Sequence, residues 1–163
     1  MIHYLIGDAT CPTGPQEQPK IIAHIVNDKG GWGAGFVLAL SKKWKEPEEE
    51  YRNWAADTKP LPLGYVQFVY PENHKLAIAN MVAQHGYGTA LQPPIRYQAL
   101  RKCLYAVNLI AKQYGATVHM PRIGCGLAGG TWDEVSKIIE EEMPDLEVFV
   151  YDLATTASLT FLT

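Results

Sequence analysis

The sequence predicts an α/β domain of three layers, α/β/α, with a mixed, largely parallel sheet of about six strands between helices. Three observations carry that expectation. Short apolar, β-branched runs alternate along the chain with stretches of helical periodicity; several of those runs are apolar on both faces, as strands covered on each side are; and two glycine-rich turns directly follow two of the runs.

In chain order the strands read as "HYLIGD" around Tyr4 to Ile6, "KIIAHIVN" ending at Asn27, Gly64 to Tyr70, "KLAIANMVAQ" ending near Gln84, Thr117 to Met120, and Leu146 to Tyr151. Helices are expected from Phe36 to Trp44 and from Pro47 to Ala56. The clearest runs from Ile95 to Tyr114, where Tyr97, Leu100, Leu104, Val107, Ala111 and Tyr114 recur at three- and four-residue steps. Arg101, Lys102, Asn108 and Lys112 take its other face, and Gly115 is its stop. A fourth helix starts at Thr131, whose hydroxyl can cap the first turn while Glu134 reaches back, with Trp132, Val135, Ile138 and Ile139 inward. The Pro-rich "CPTGPQEQP" lies too near the N-terminus to separate two domains, so residues 1–163 read as one domain with a peripheral tail from about residue 154.

Composition narrows the function. A chain of 163 residues that is 47% hydrophobic and 19% charged can bury a sizeable core. Its net charge of -3 and pI near 5.9 give no basic face, so a nucleic-acid polymer is not an expected partner. Three cysteines, Cys11, Cys103 and Cys125, make no disulfide framework and fit a reducing, cytoplasmic setting. The opening "MIHYLIGD" lacks the features of an export signal, and no apolar run is long enough for a bilayer, so no membrane role is expected. Spacings such as CxxC and HExxH are missing, so neither metal nor cofactor is expected.

The glycine-rich turns carry the chemistry. "GGWGAG" (Gly30 to Gly35) and "GCGLAGG" (Gly124 to Gly130) both follow strands. Without Cβ atoms, such a loop can turn successive amides inward and cradle an anion. No Gly-Lys-Ser/Thr follows either, and the GxGxxG at Gly124, Gly126 and Gly129 lacks its acid about 20 residues on, which disfavours a dinucleotide-dependent oxidoreductase. Asp133 and Glu134 occupy the helix turn after the second loop, whereas the first loop runs into acid-free "FVLAL", a helix start open to an anion. A diphosphate between the loops would satisfy both.

Several side chains have two readings. Asp8 can accept from an exocyclic amine such as adenine N6, or close a turn. Asn27 and Asp28 can meet a ribose hydroxyl or a reacting water, or form an Asx-turn. His85 is an acid–base candidate or a solvated bystander. His24 and His119 lie inside strands and read as satisfied core histidines. Trp32 and Trp132 adjoin the loops, as pocket walls or core, and Cys125 reads as a small loop residue rather than a nucleophile.

"IGDAT", "AHIVNDKGGWGAGFVLAL" and "HMPRIGCGLAGGTWDEV", in this order and spacing, resemble macro domains, the ADP-ribose-binding modules, over about Ile6 to Asp152. The similarity is to the branch related to ADP-ribose 1''-phosphate phosphatases and deacylating ADP-ribose glycohydrolases. It implies that Asp8 contacts adenine with help from the Ala9 backbone. It also implies that Gly33, Ala34, Gly35 and Phe36, with Ile123, Gly124, Cys125, Gly126, Leu127, Ala128 and Gly129, embrace the diphosphate and distal ribose, with Asn27 near that ribose. The glycohydrolases use a mid-chain lysine and an aspartate just after "GCGL"; this sequence has "MVAQHGYG" without lysine, then Ala128 and Gly129. The phosphatase-like branch fits better, with Asn27, Asp28, His24 and His85 as candidates for placing or activating a water. The expected activity is hydrolysis of an ADP-ribose derivative at the distal ribose, foremost the 1''-phosphate. Its alternatives are a non-catalytic reader of ADP-ribose or an ADP-ribosylated small molecule or protein, and deacylation of ADP-ribosyl esters by a lysine-independent route.

Overall fold

The computed structural model describes residues 1–87 and 93–154. Its strands are β1 (Ile2–Ile6), β2 (Lys20–Asn27), β3 (Val66–Val69), β4 (Leu76–Gln84), β5 (Thr117–Met120) and β6 (Val148–Asp152). Its helices are α1 (Phe36–Lys43), α2 (Glu46–Asp57), α3 (Tyr97–Tyr114) and α4 (Trp132–Glu142). They build one six-stranded sheet in the order β1-β6-β5-β2-β4-β3. Every strand pair is parallel except β3 with β4, so the mixed, largely parallel sheet expected from the sequence is present. The tail's course beyond residue 154 lies outside the described residues.

The doubly apolar runs have their reason in the two cores. Along β2, Ile21 and Ala23 pack into the layer of α3 and α4, while Ile22 and Val26 pack into that of α1 and α2. A strand buried on both faces cannot alternate with polar residues, because each buried aliphatic side chain contributes about 1.5–3 kcal/mol. Pro47 in the first turn of α2, followed by Glu48 and Glu49, suits a helix start, where an amide is unpaired and the dipole favours negative charge.

Two local expectations change. In α3 the buried stripe is Leu100, Leu104, Val107 and Ala111, whereas Tyr114 is exposed and Asn108 is buried. The helix runs 18 residues and is closed by left-handed Gly115. At α4, the Thr131 hydroxyl accepts from the Glu134 amide at 3.4 Å, but the returning Glu134 side-chain bond is not made among the described residues. Half of the capping box therefore forms.

His24 and His119 are core residues, 2% and 0% exposed. His24 Nε2 meets Asn80 Oδ1 at 2.5 Å, and His119 lies between the Thr117 and Tyr151 hydroxyls, each at 2.8 Å. Burial lowers both from 6.5 to about 4; the Asn80 bond partly opposes this for His24, and Lys20 adds to it for His119. Folded, they stay neutral; the unfolded chain takes up their protons first as pH falls. Their contribution is therefore complete above about pH 6.5 and is lost progressively down to about pH 4. At about pH 5 each should cost roughly 2 kcal/mol. Urea midpoints compared at neutral pH and about pH 5 check this, and equal midpoints would contradict it.

Sheet order also brings distant loops together. β2 lies between β5 and β4, so the chain leaves three neighbouring strands, at Asn27, Gln84 and Met120, along one edge of the domain.

Candidate functional site

The loop after β2 is tied down in its first half and left open in its second. Asn27 Oδ1 accepts from the amides of Lys29 (2.9 Å) and Gly31 (3.1 Å), while its Nδ2 donates to the Gly31 carbonyl (3.0 Å). From α2, the Tyr51 hydroxyl donates to the Asn27 carbonyl at 2.5 Å and accepts from the Gly30 amide at 3.2 Å. Burial raises the Tyr51 phenol above its ordinary range, so it remains a proton donor. Beyond Gly31, the amides of Gly33, Ala34, Gly35 and Phe36 make no hydrogen bond among the described residues. Gly35, at φ 84°, begins α1 without a side-chain cap and without an acid in the first turn. That helix end has the free amides and dipole that an anion can engage.

The loop after β5 mirrors it. Gly129 and Gly130 donate to the carbonyls of Gly126 and Gly124 at 3.1 and 2.7 Å, closing the turn. The amides from Gly124 to Ala128 make no bond among the described residues. Gly124 sits at φ 73°, where an added Cβ would lie 2.5 Å from Ile95 Cδ1. Glycine is required there.

Two cavities of about 290 and 210 Å³ lie between these loops and share Ile25, Ala34, Val37, Gln84 and Leu127. The larger follows the first loop past Trp32 to Asn27 and Tyr87. The smaller runs between Gly35 and Phe36 on one side and Ile123, Gly124, Gly126 and Ala128 on the other. Both glycine loops thus line one cleft, with unbonded amides on each wall.

Asp28 and His85 meet beside it. Asp28 is 3% exposed; its Oδ2 lies 2.7 Å from His85 Nδ1 and its Oδ1 accepts from the Gly86 amide at 2.8 Å. A proton on Nδ1 facing the carboxylate leaves the Nε2 lone pair of His85 available as a base. Gln84 and Tyr87, which flank His85 in the chain, both line the larger cavity. His24 lines the smaller cavity, but its Nε2 is held by Asn80, and its ring packs against Trp32 and Phe36. Its Nδ1 has no partner among the described residues.

No protein-family model matches the chain. It is 47% identical over 160 residues to ADP-ribose glycohydrolase OARD1 of Bos taurus, across 93% of this chain and 91% of that protein. A solved macrodomain protein from Streptomyces coelicolor superposes with a TM-score of 0.80 and 44% identity, covering 93% of this chain and 99% of the other. The chain belongs to the macrodomain family. It is also 34% identical to Chromodomain-helicase-DNA-binding protein 1-like of Danio rerio, over 91% of this chain, but spans only 15% of that relative's length.

In this macrodomain, Asp8 Oδ1 accepts from both the amide and the hydroxyl of Thr10 at 2.8 Å, holding a turn above buried Ala9. No bond engages Asp8 Oδ2 among the described residues, so it remains an acceptor. Cys125 contacts the Ile123 carbonyl, and burial raises its thiol pKa against the pull of Arg122, unlike a reactive thiolate. Trp32 is core and cleft wall at once, its Nε1 bonded to Ser41 Oγ at 2.8 Å. The half-buried Trp132 bonds the Tyr4 hydroxyl instead.

Sequence reasoning missed Tyr51, Gln84 and Tyr87 as site residues. "AQHGYG" holds two of them beside His85 and was the available signal. Nothing near Tyr51 in the sequence marks it, because its role arises only when α2 packs under the β2 exit.

Proposed function

We propose that this macrodomain binds ADP-ribose across the cleft and hydrolyses an ADP-ribose derivative at its distal ribose, foremost ADP-ribose 1''-phosphate. The observation that carries the reading is the pair of amide-lined loops opening onto one cleft; the Asp28–His85 pair lines neither cavity itself and adjoins the cleft through Asn27, Gln84 and Tyr87, which do. The diphosphate lies between Gly33 to Phe36 and Gly124 to Ala128, where the α1 dipole and free amides replace its water. Asp8 Oδ2 accepts from the adenine amine beside Ala9. Asn27 shapes the loop under the distal ribose, and Cys125 and Gly129 serve the second loop as small residues.

In the reaction, His85 Nε2 takes a proton from a water as that water attacks phosphorus. The phosphorus–O1'' bond breaks, and the products are inorganic phosphate and ADP-ribose, whose O1'' is reprotonated. Asp28 holds the ring in the productive tautomer, and the loop amides stabilise the charge that develops. His24 supports Trp32 and Phe36 from beneath and takes no proton. The 47% identity to a protein named ADP-ribose glycohydrolase supports the ligand class and a hydrolytic reaction on it.

Incubation with ADP-ribose 1''-phosphate is the test, and release of inorganic phosphate is expected. Ala128 and Gly129 bring no titratable group to the second loop, which favours a second reading as a non-catalytic ADP-ribose reader. Undiminished ADP-ribose binding without phosphate release would select it. A further prediction concerns adenine. Asp8→Asn keeps an oxygen for Thr10 but puts an amide donor where Oδ2 accepts, so calorimetry should show ADP-ribose affinity down about tenfold or more. The melting temperature should hold.

A further inference from the structure

Tyr87 is 65% exposed, yet it lines the cleft. Its ring lies on the backbone of Gly31: a Cβ built there would stand 2.7 Å from Cε1 and 2.9 Å from Cζ. At the other end of the same loop, Leu127, 71% exposed, comes within 3.8 Å of a Cβ built on Gly35. Two large side chains thus straddle the first loop, one near each end of its open stretch.

The hook that presents Tyr87 is held firmly for a surface turn. Gln84 Nε2 donates to the Gly86 carbonyl at 2.9 Å, and Asp28 accepts from the Gly86 amide and meets His85. Gly86 itself is left-handed at φ 57°, with the Lys29 side chain 3.2 Å from where its Cβ would be. Three side-chain bonds and a glycine-only backbone are more than a loop needs merely to reverse direction. They aim the next residue, Tyr87, at Gly31.

We infer that Tyr87 is a specificity-determining residue: its ring, seated on Gly31, walls the distal-ribose end of the cleft, so that small distal substituents such as phosphoryl or acyl groups fit and a folded carrier protein is disfavoured. This rests on the reading that ADP-ribose occupies the cleft with its distal ribose toward Asn27 and Tyr87. The part of the cleft that reaches Asn27 and Tyr87 holds about 290 Å³, at the low end of whole ligand pockets, about 300–1,000 Å³, so a distal ribose seated there leaves little room beside it. A carrier joined at C1'' must leave past Tyr87, and excluding it by bulk is discrimination through a clash rather than a gained contact.

Two substitutions remove the wall by different routes. Tyr87→Ala deletes the ring. Gly31→Ala leaves the ring but occupies its seat, and Gly31 is not in the left-handed region, so the added methyl displaces Tyr87 without straining the loop. Tyr87→Phe keeps the wall without its hydroxyl. The readout is the ratio of dissociation constants for free ADP-ribose and for a small folded domain bearing ADP-ribose at C1'' through a hydrolysis-resistant triazole. Wild type and Tyr87→Phe should favour free ADP-ribose by about tenfold, and Tyr87→Ala and Gly31→Ala should bring the two within about threefold. Intact ADP-ribose binding with a ratio unmoved by both alanine variants overturns the inference alone. Failure of wild type to bind ADP-ribose overturns the site reading and this inference with it.

Discussion

Replacing His85 with alanine should slow phosphate release from ADP-ribose 1''-phosphate by roughly 10²–10⁴-fold, the usual worth of a positioned general base. The ADP-ribose dissociation constant should stay within about threefold, because binding is assigned to loop amides and Asp8 rather than to the imidazole. The His85 side chain is 55% exposed and among the described residues its ring bonds only Asp28, so its loss leaves the core intact. Asp28→Asn should fall with it. The asparagine oxygen can still accept from the Gly86 amide, but its NH₂ then faces Nδ1 and favours the tautomer that protonates Nε2, removing the base. Single-turnover phosphate release and calorimetry on both variants check the pair. Wild-type turnover by His85→Ala would remove the imidazole from the mechanism.

Gly124→Ala should abolish measurable ADP-ribose binding and lower the melting temperature. At φ 73° an alanine costs about 1–2 kcal/mol. Its methyl, 2.5 Å from Ile95 Cδ1, adds overpacking of about 1–3 kcal/mol. For a chain of this size those penalties correspond to a loss of roughly 5–15 °C. The strained φ and the side chains of Ile95, Ile25 and Val135 around the added methyl press on the second loop, and a shift of that loop takes its amides out of the cleft. Gly126→Ala is the contrast, since nothing lies within 4 Å of an added Cβ there and its φ is not left-handed. Its melting temperature should match wild type. Thermal melts with and without ADP-ribose separate the two, and equal behaviour would remove Gly124 from the binding frame.

The alternation of strands and helices was open to reading because burial on both sheet faces leaves no choice but apolar runs, and all six strands and four helices form near their expected places. Asn108 and Tyr114 were misplaced for a physical reason: helical periodicity gives an average direction around the axis, whereas the burial of a residue at the border of the apolar stripe depends on what packs against that turn. Both glycine loops were likewise legible as candidate anion cradles. Their convergence was expected from a shared diphosphate and from the macro-domain resemblance, and its physical basis is that β2 and β5 are neighbours, a fact of sheet order rather than of local sequence.

His85 and Asp28 show the same division. Each was legible by itself as a polar residue after a strand, but 57 positions separate them, and only the pairing of β2 with β4 brings their side chains to 2.7 Å. Tyr51 and Tyr87 were silent, being ordinary tyrosines until packing set one beneath the first loop and the other upon Gly31. Sequence by itself determined the layers, the glycine turns and the net charge of -3, all of which arise from short-range sterics, burial and composition. Tertiary structure alone decided that His85 faces the Asp28 carboxylate, that Tyr51 ties down the first loop and that Tyr87 sits against Gly31, because those depend on distances between residues far apart in the chain.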